Sequence, residues 1–262
     1  IDPDQLPIPV EGLWSSPLLD ESGMALTVEV LWLNEEETPL LQRAVEDLTQ
    51  ALLWTSGASE TGERIGVYAT LSSTDSGLGD ESYIIHRIGS GQTAYLEVSS
   101  GTQTGLAYGL YQVAQWLGVM YIHPEETAWS VQDELTLDWE ESHFESTPRF
   151  SMRGFHEHTQ HPTVWSDFLL KPGAPSFREA VSNYLHWLAR NRQNQLTFHM
   201  LKTVDLEAWV PYMKGIVEEA HSLSIDVGAV SYTHLRAHET PEQRGWRLGR
   251  VKKKGGGGGG GG

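Results

Sequence analysis

Phe150-Ser-Met-Arg-Gly-Phe-His-Glu-His158 and Asn194-Gln-Leu-Thr-Phe-His-Met-Leu201 are two β-rich runs whose surroundings decide the fold. Between them, Ser176 to Arg192 carries Tyr184, Leu185 and Leu188 at helical spacing. After them, Leu206 to Leu223 is again helical and Ile225-Asp-Val-Gly-Ala229 returns to strand character. Strand, helix, strand, helix, strand is the alternation of a parallel β/α fold, since a helical crossover brings the next strand back in the same direction. Three strands cannot close a barrel, so the pattern predicts a domain that continues past Ala229.

The residues before this alternation read differently. Residues 1–23 form a Pro-containing leading segment without periodicity, and Met24 to Leu33 alternates through Leu26, Val28, Val30 and Trp32 as a strand does. Thr38-Pro39 supplies an N-cap and a proline at the first helical position, followed by Leu41, Ala44, Leu48, Ala51 and Leu52 on one helical face. Arg64 to Leu71, Glu81 to Ile88 and Ala94 to Val98 are strand-like runs between Ser, Gly and Asp clusters, which predicts a small, largely antiparallel sheet. Thr102 to Leu117 is helical and Gly118 sits where a C′ residue belongs. Tyr121-Ile122 and Leu135-Thr-Leu137 read as short strands. The fold class expected is therefore α/β, a small α/β sandwich over residues 24–147 followed by the first three strands of a (β/α)8 barrel over 148–229.

The C-terminal stretch stands apart. Val230-Ser-Tyr-Thr-His-Leu-Arg-Ala-His-Glu-Thr240 resembles one reading frame of a sequencing-library adapter, and Lys252-Lys-Lys254 followed by glycine from Gly255 onward resembles read-through of a DNA end. Residues 230–262 are therefore expected to be a non-native tail, set aside before the fold is considered. The chain has 18 Lys and Arg against 35 Asp and Glu, a formal charge of −17. The tail holds Arg236, Arg244, Arg247, Arg250 and the lysine run but only Glu239 and Glu242, so the remainder is more acidic still. Such a surface repels phosphate backbones, and no nucleic-acid partner is expected. No apolar run reaches membrane-spanning length, so no membrane partner is expected either. The absence of cysteine excludes disulfides, thiolate metal sites and cysteine nucleophiles. The chain opens at Ile1, which fits either a mature form or an upstream truncation.

The densest polar cluster is His156-Glu-His158 with His161. His156 and His158 are alternate residues of a strand and share a face, and imidazole suits zinc. Their spacing matches no established zinc motif, so a metal is not expected. These side chains, with His199 at the end of the next strand and Trp165 in the loop after the first, are candidate binding residues.

Gly105-Leu-Ala-Tyr-Gly-Leu-Tyr-Gln-Val-Ala-Gln-Trp-Leu-Gly118, Tyr121-Ile-His-Pro124, Pro148-Arg-Phe150 and Arg153-Gly154 together resemble the accessory domain and barrel start of the β-hexosaminidase superfamily, and are similar also to the α-glucuronidases with the same two-domain plan. The resemblance implies a non-catalytic first domain, a (β/α)8 barrel with its active site on the C-terminal face, and hydrolysis of glycosidic bonds in a carbohydrate substrate. It also implies that Arg153 grips sugar hydroxyls, with Glu157 on the same strand face. Hexosaminidases follow the Arg-Gly with an apolar run, an aspartate and an Arg-His pair, where this chain has Phe155-His-Glu-His-Thr-Gln-His161. The acid of this superfamily commonly follows the fourth barrel strand, which leaves the catalytic residues unknown and the chain as it stands expected to be inactive. No cofactor is implied. A secreted or periplasmic location fits the acidic, cysteine-free, Trp-rich composition. The alternative is a non-catalytic carbohydrate-binding or structural protein of the same architecture.

Overall fold

The computed structural model describes residues 8–9, 27–30, 37–55, 66–71, 78–88, 95–129, 143–161, 163–201 and 203–231. The expected strand at Leu135-Thr-Leu137 and nearly all of the stretch from Val230 onward lie outside these residues.

Five strands form the first sheet: β2 (Thr27–Val30), β3 (Gly66–Leu71), β4 (Tyr83–Ile88), β5 (Tyr95–Ser100) and β8 (His143–Ser146). They run in the order β2-β3-β5-β4-β8. β2 with β3 and β3 with β5 are parallel, whereas β4 pairs antiparallel with both β5 and β8. The sheet is thus mixed, where a largely antiparallel one was expected. The reason is the helix α1 (Pro39–Thr55) between β2 and β3, which carries the chain back along the sheet and makes that pair parallel. β1 (Ile8–Pro9), β6 (Val119–His123) and β7 (Glu126–Trp129) make a separate small sheet in the order β1-β7-β6.

The helix α2 (Gln103–Trp116) lies on the five-stranded sheet and follows its sequence signals closely. The Thr102 hydroxyl accepts from the amide of Gly105 at 3.1 Å, and Gly118 adopts φ 92° just past the helix end. Gly105 and Gly109, one helical turn apart, let the helix approach the strands. A Cβ at 105 would stand 2.5 Å from the Ser82 carbonyl oxygen, and one at 109 would stand 3.2 Å from the Tyr83 ring. α1 packs beside α2, with Leu40, Leu41, Ala44, Leu48 and Ala51 fully buried.

The third sheet is β9 (Gly154–Glu157), β10 (Gln195–Met200) and β11 (Asp226–Ser231), in the order β11-β10-β9 and parallel throughout. α4 (Pro175–Arg190) connects β9 to β10 and α5 (Leu206–Ser222) connects β10 to β11, the β/α alternation read from the sequence. Leu196 and Phe198 face these helices and are fully buried. A short helix α3 (Val164–Leu170) precedes α4; its capping box of Thr163 and Ser166 was not read from the sequence. Three strands form an open sheet. β11 reaches Ser231, so the first two residues of the adapter-like stretch pair as strand.

The five-stranded sheet, the parallel β11-β10-β9 sheet and their helices share one buried apolar cluster, from Leu40 to Ile225. Polar side chains at the end of α4 join them. Arg190 makes a two-pronged contact with Asp47 of α1 at 2.8 and 2.9 Å. Arg192 donates to the Tyr83 hydroxyl at 3.0 Å, to Gln112 at 2.6 Å and to Gln115 at 2.8 Å. Its backbone has φ 57°, the left-handed region that ordinarily favours glycine after a helix. Strain of about 1 kcal/mol is outweighed by three charge-assisted hydrogen bonds. Replacing Arg192 by Gly should therefore lower stability by about 2 kcal/mol in urea unfolding, although Gly relaxes the backbone; a more stable variant would show the clamp to be idle.

His186 on α4 is held below its ordinary pKa of 6.5 by burial and then by the charges of Arg43 and Arg190, with Glu219 opposing. A lowered folded-state value means that below about pH 6.5 the unfolded chain binds the proton first, so this contribution to stability is present at neutral pH and lost as pH falls. In thermal unfolding at pH 5 and pH 7.5, His186→Gln should narrow the difference between the two midpoints.

Candidate functional site

β9 and β10 pair in parallel with His156 level with Thr197, and continuation of that register brings His158 level with His199. The four side chains share the sheet face opposite the helices. The Nε2 atoms of His156 and His199 stand 2.9 Å apart. His158 meets His199 edge-on with ring centroids 5.0 Å apart, and stacks on His161 at 5.0 Å. Four imidazoles thus converge at the carboxyl-terminal ends of β9 and β10.

The loop after β9 is built to hold them. Its backbone folds back through Thr159 N–H to the Glu157 carbonyl at 2.9 Å and His161 N–H to the His158 carbonyl at 3.3 Å. The buried Thr159 hydroxyl donates to the carbonyl of His199 and accepts from its amide at 3.1 Å, so one side chain secures both backbone groups of the His199 peptide. His199 itself is only 2% exposed, whereas His156, His158 and His161 are exposed. Ser166 donates to the His161 carbonyl, which ties the loop to the cap of α3.

Glu157 points the other way, as alternation along β9 requires. Its carboxylate accepts from the Tyr184 hydroxyl on α4. Burial, and then the Glu157 carboxylate, hold the Tyr184 phenol well above its usual range. Trp165 packs on Tyr184 with centroids 4.2 Å apart and meets Phe168 edge-on at 5.4 Å. Tyr184 was read only as a core position; nothing in its helical spacing distinguishes a hydroxyl that meets a carboxylate from an apolar ring.

Arg153 lies at the opposite end of β9, about 13 Å along the strand from Glu157. Its Nη1 donates to Glu81 at 2.8 Å and to the Phe150 carbonyl at 2.7 Å, and its Nε donates to the Arg192 carbonyl at 3.0 Å. The side chain of Asn194 accepts from the Arg153 amide at 2.8 Å and donates to Glu81 at 2.9 Å. The guanidinium also lies 6.0 Å from the Tyr108 ring centre, and burial, then Glu81, push the Tyr108 phenol up to about 12. The sequence-derived candidates thus fall in three places: the imidazoles at the carboxyl ends of the strands, Glu157 and Trp165 beneath the sheet around Tyr184, and Arg153 in the joint with the first sheet.

Among the described residues, no group of three or more His, Cys, Asp or Glu side chains is arranged to hold a metal ion. Among them, too, no helix is long and apolar enough to cross a membrane.

The parallel β/α unit joined to a mixed α/β sandwich has a counterpart among solved structures. A family GH115 4-O-methyl-α-glucuronidase with specificity for decorated arabinogalactans matches with TM-score 0.51 and 15% identity, over 79% of this chain and 29% of that one. The chain is therefore similar in fold to part of a glycoside hydrolase, and spans less than a third of that neighbour's length. No family model matches the chain, and no curated protein matches it.

Arg153 and Glu81 are largely buried partners, with side chains 16% and 20% exposed, so removing either leaves the other charge poorly compensated. Arg153→Ala and Glu81→Ala should each lower unfolding stability by about 2–3 kcal/mol, and the double variant should lose less than the sum. Strict additivity in the double-mutant cycle would show that the pair does not couple the sheets.

Proposed function

We propose that this chain is part of a glycoside hydrolase, with residues 24–147 an accessory α/β domain and 148–229 the first three strands of a (β/α)8 barrel, preceded by the leading segment 1–23 and followed by a tail, 230–262, foreign to the enzyme. The observation that carries this reading is the convergence of His156, His158 and His199 at the carboxyl-terminal ends of parallel strands, the end at which barrel enzymes bind substrate, in a chain similar in fold to part of a glycoside hydrolase. Imidazoles donate and accept hydrogen bonds and so suit sugar hydroxyls; they also suit the carboxylate of a uronate. Trp165, half-buried against Tyr184 beneath the sheet, packs behind the site and does not line its imidazole face. A secreted or periplasmic location belongs to the same reading.

Among the described residues, the imidazole face offers no acid pair. Glu157 is turned beneath the sheet toward Tyr184, and the strand residues bordering the imidazoles are Thr197, Gly228 and Val230. That arrangement favours, as a second reading, a carbohydrate-binding or structural protein of this architecture.

The two separate in a single experiment. A version extended by its genomic continuation is assayed for release of sugar from aryl-glycosides and uronate-bearing oligosaccharides, and for binding of the same oligosaccharides by calorimetry. The enzyme reading expects turnover, with His156→Ala reducing kcat/KM about tenfold. Binding without turnover supports the second reading, and neither binding nor turnover overturns both.

A further inference from the structure

We propose that His156 and His199 form an open two-imidazole site for a transition metal that prefers right-angled ligands, Cu(II) or Ni(II). Two imidazole nitrogens bound at about 2.0–2.1 Å and subtending a right angle lie about 2.9 Å apart, whereas a tetrahedral ion such as zinc separates them by about 3.3–3.4 Å. The two Nε2 atoms stand at 2.9 Å, the right-angled spacing.

The surroundings suit such a site. The two histidines sit on adjacent strands whose register is fixed by parallel pairing, so their Cα positions are set without a metal. His199 is further secured by the Thr159 hydroxyl on both its amide and its carbonyl, while the exposed His156 ring has room to adjust. Both rings would bind through Nε2, with the remaining proton on Nδ1. Among the described residues no group of three or more His, Cys, Asp or Glu side chains is arranged to hold a metal ion, so beyond this pair the coordination positions fall to water or to an oxygen of a bound ligand. His158, exposed and in ring contact with His199, is the side chain nearest to supplying a third nitrogen. The chain's net charge of −17 raises the local concentration of any cation. The site stands whether or not the chain acts on sugars.

A second imidazole pair must be separated from this one. His86 and His143 face each other across β4 and β8 with nitrogens 3.4 Å apart, the tetrahedral spacing, and the chain has 11 histidines in all. The test therefore uses the full chain carrying His86→Ala and His143→Ala as its background, stripped with a chelator and titrated with CuCl2, followed by calorimetry and electron paramagnetic resonance. Adding His156→Gln, which keeps a hydrogen-bonding group beside His199 but removes the metal ligand, should abolish one equivalent of Cu(II) or weaken it about tenfold or more, and should erase the hyperfine signature of paired imidazole nitrogens. Circular dichroism verifies that the variant is folded, and His158→Gln should leave the paired-nitrogen signature in place. If background and His156→Gln bind the same number of ions with the same affinity and spectrum, or if the background binds none, the two rings are a hydrogen-bonded pair and the proposal fails. Sugar turnover is a separate readout, so failure here leaves the glycosidase reading untouched.

Discussion

The rest of the structure depends on the polar joint at the end of α4. Arg190 grips Asp47 and Arg192 reaches Tyr83, Gln112 and Gln115, while one strand-end away Arg153 and Asn194 share Glu81. Most of these groups leave water opposite a partner of matched geometry, and removing one partner would strand the other's charge or polarity in a poorly solvated joint. The apolar cluster beneath runs unbroken from the first sheet to the third, so burial supplies the cohesion and the arginines supply the orientation. That division of labour explains the left-handed backbone at Arg192: the position needs a side chain more than it needs relaxed geometry.

The joint also sets where chemistry can happen. Asn194 receives the Arg153 amide on its side chain and returns its own amide to the Arg153 carbonyl at 2.7 Å, which fixes β9 against β10 at their amino ends. Register fixed at one end is register fixed at the other, because the parallel ladder has one spacing throughout. His156 and His199 therefore meet at the far end as a consequence of contacts made near Glu81. The helix-facing side of this sheet is filled by Phe155, Leu196 and Phe198 with Trp187 and Trp209, and the histidines occupy the other side. A parallel sheet ordinarily has both faces covered, and a polar, imidazole-lined face is suited to a ligand or to the inside of a larger closed structure.

Much of this was legible from residue order, for identifiable reasons. α2 was readable because its N-cap threonine, its apolar spacing and Gly118 are all local signals. The β/α alternation from Phe150 to Ala229 was readable because fully buried parallel strands and crossover helices differ in run length and period. The parallel pairing within the first sheet was not, since strand direction depends on where α1 carries the chain and not on the composition of β2 or β3. The resemblance put Arg153 at a sugar site; its place at the amino end of β9 depends on where that strand begins, and strand limits are weakly marked in sequence.

By itself, the amino-acid sequence determined the α/β class, the helices with strong caps, the exclusion of cysteine chemistry and the concentration of histidines around residue 156. Only the tertiary structure decided which of those histidines meet. His156 and His199 are 43 residues apart, and nothing in either neighbourhood encodes the other. Their encounter follows from the length of α4, the register that Asn194 sets and the alternation that turns Glu157 away toward Tyr184. These are properties of strands laid side by side, which come into being only when the backbone hydrogen bonds between distant segments form.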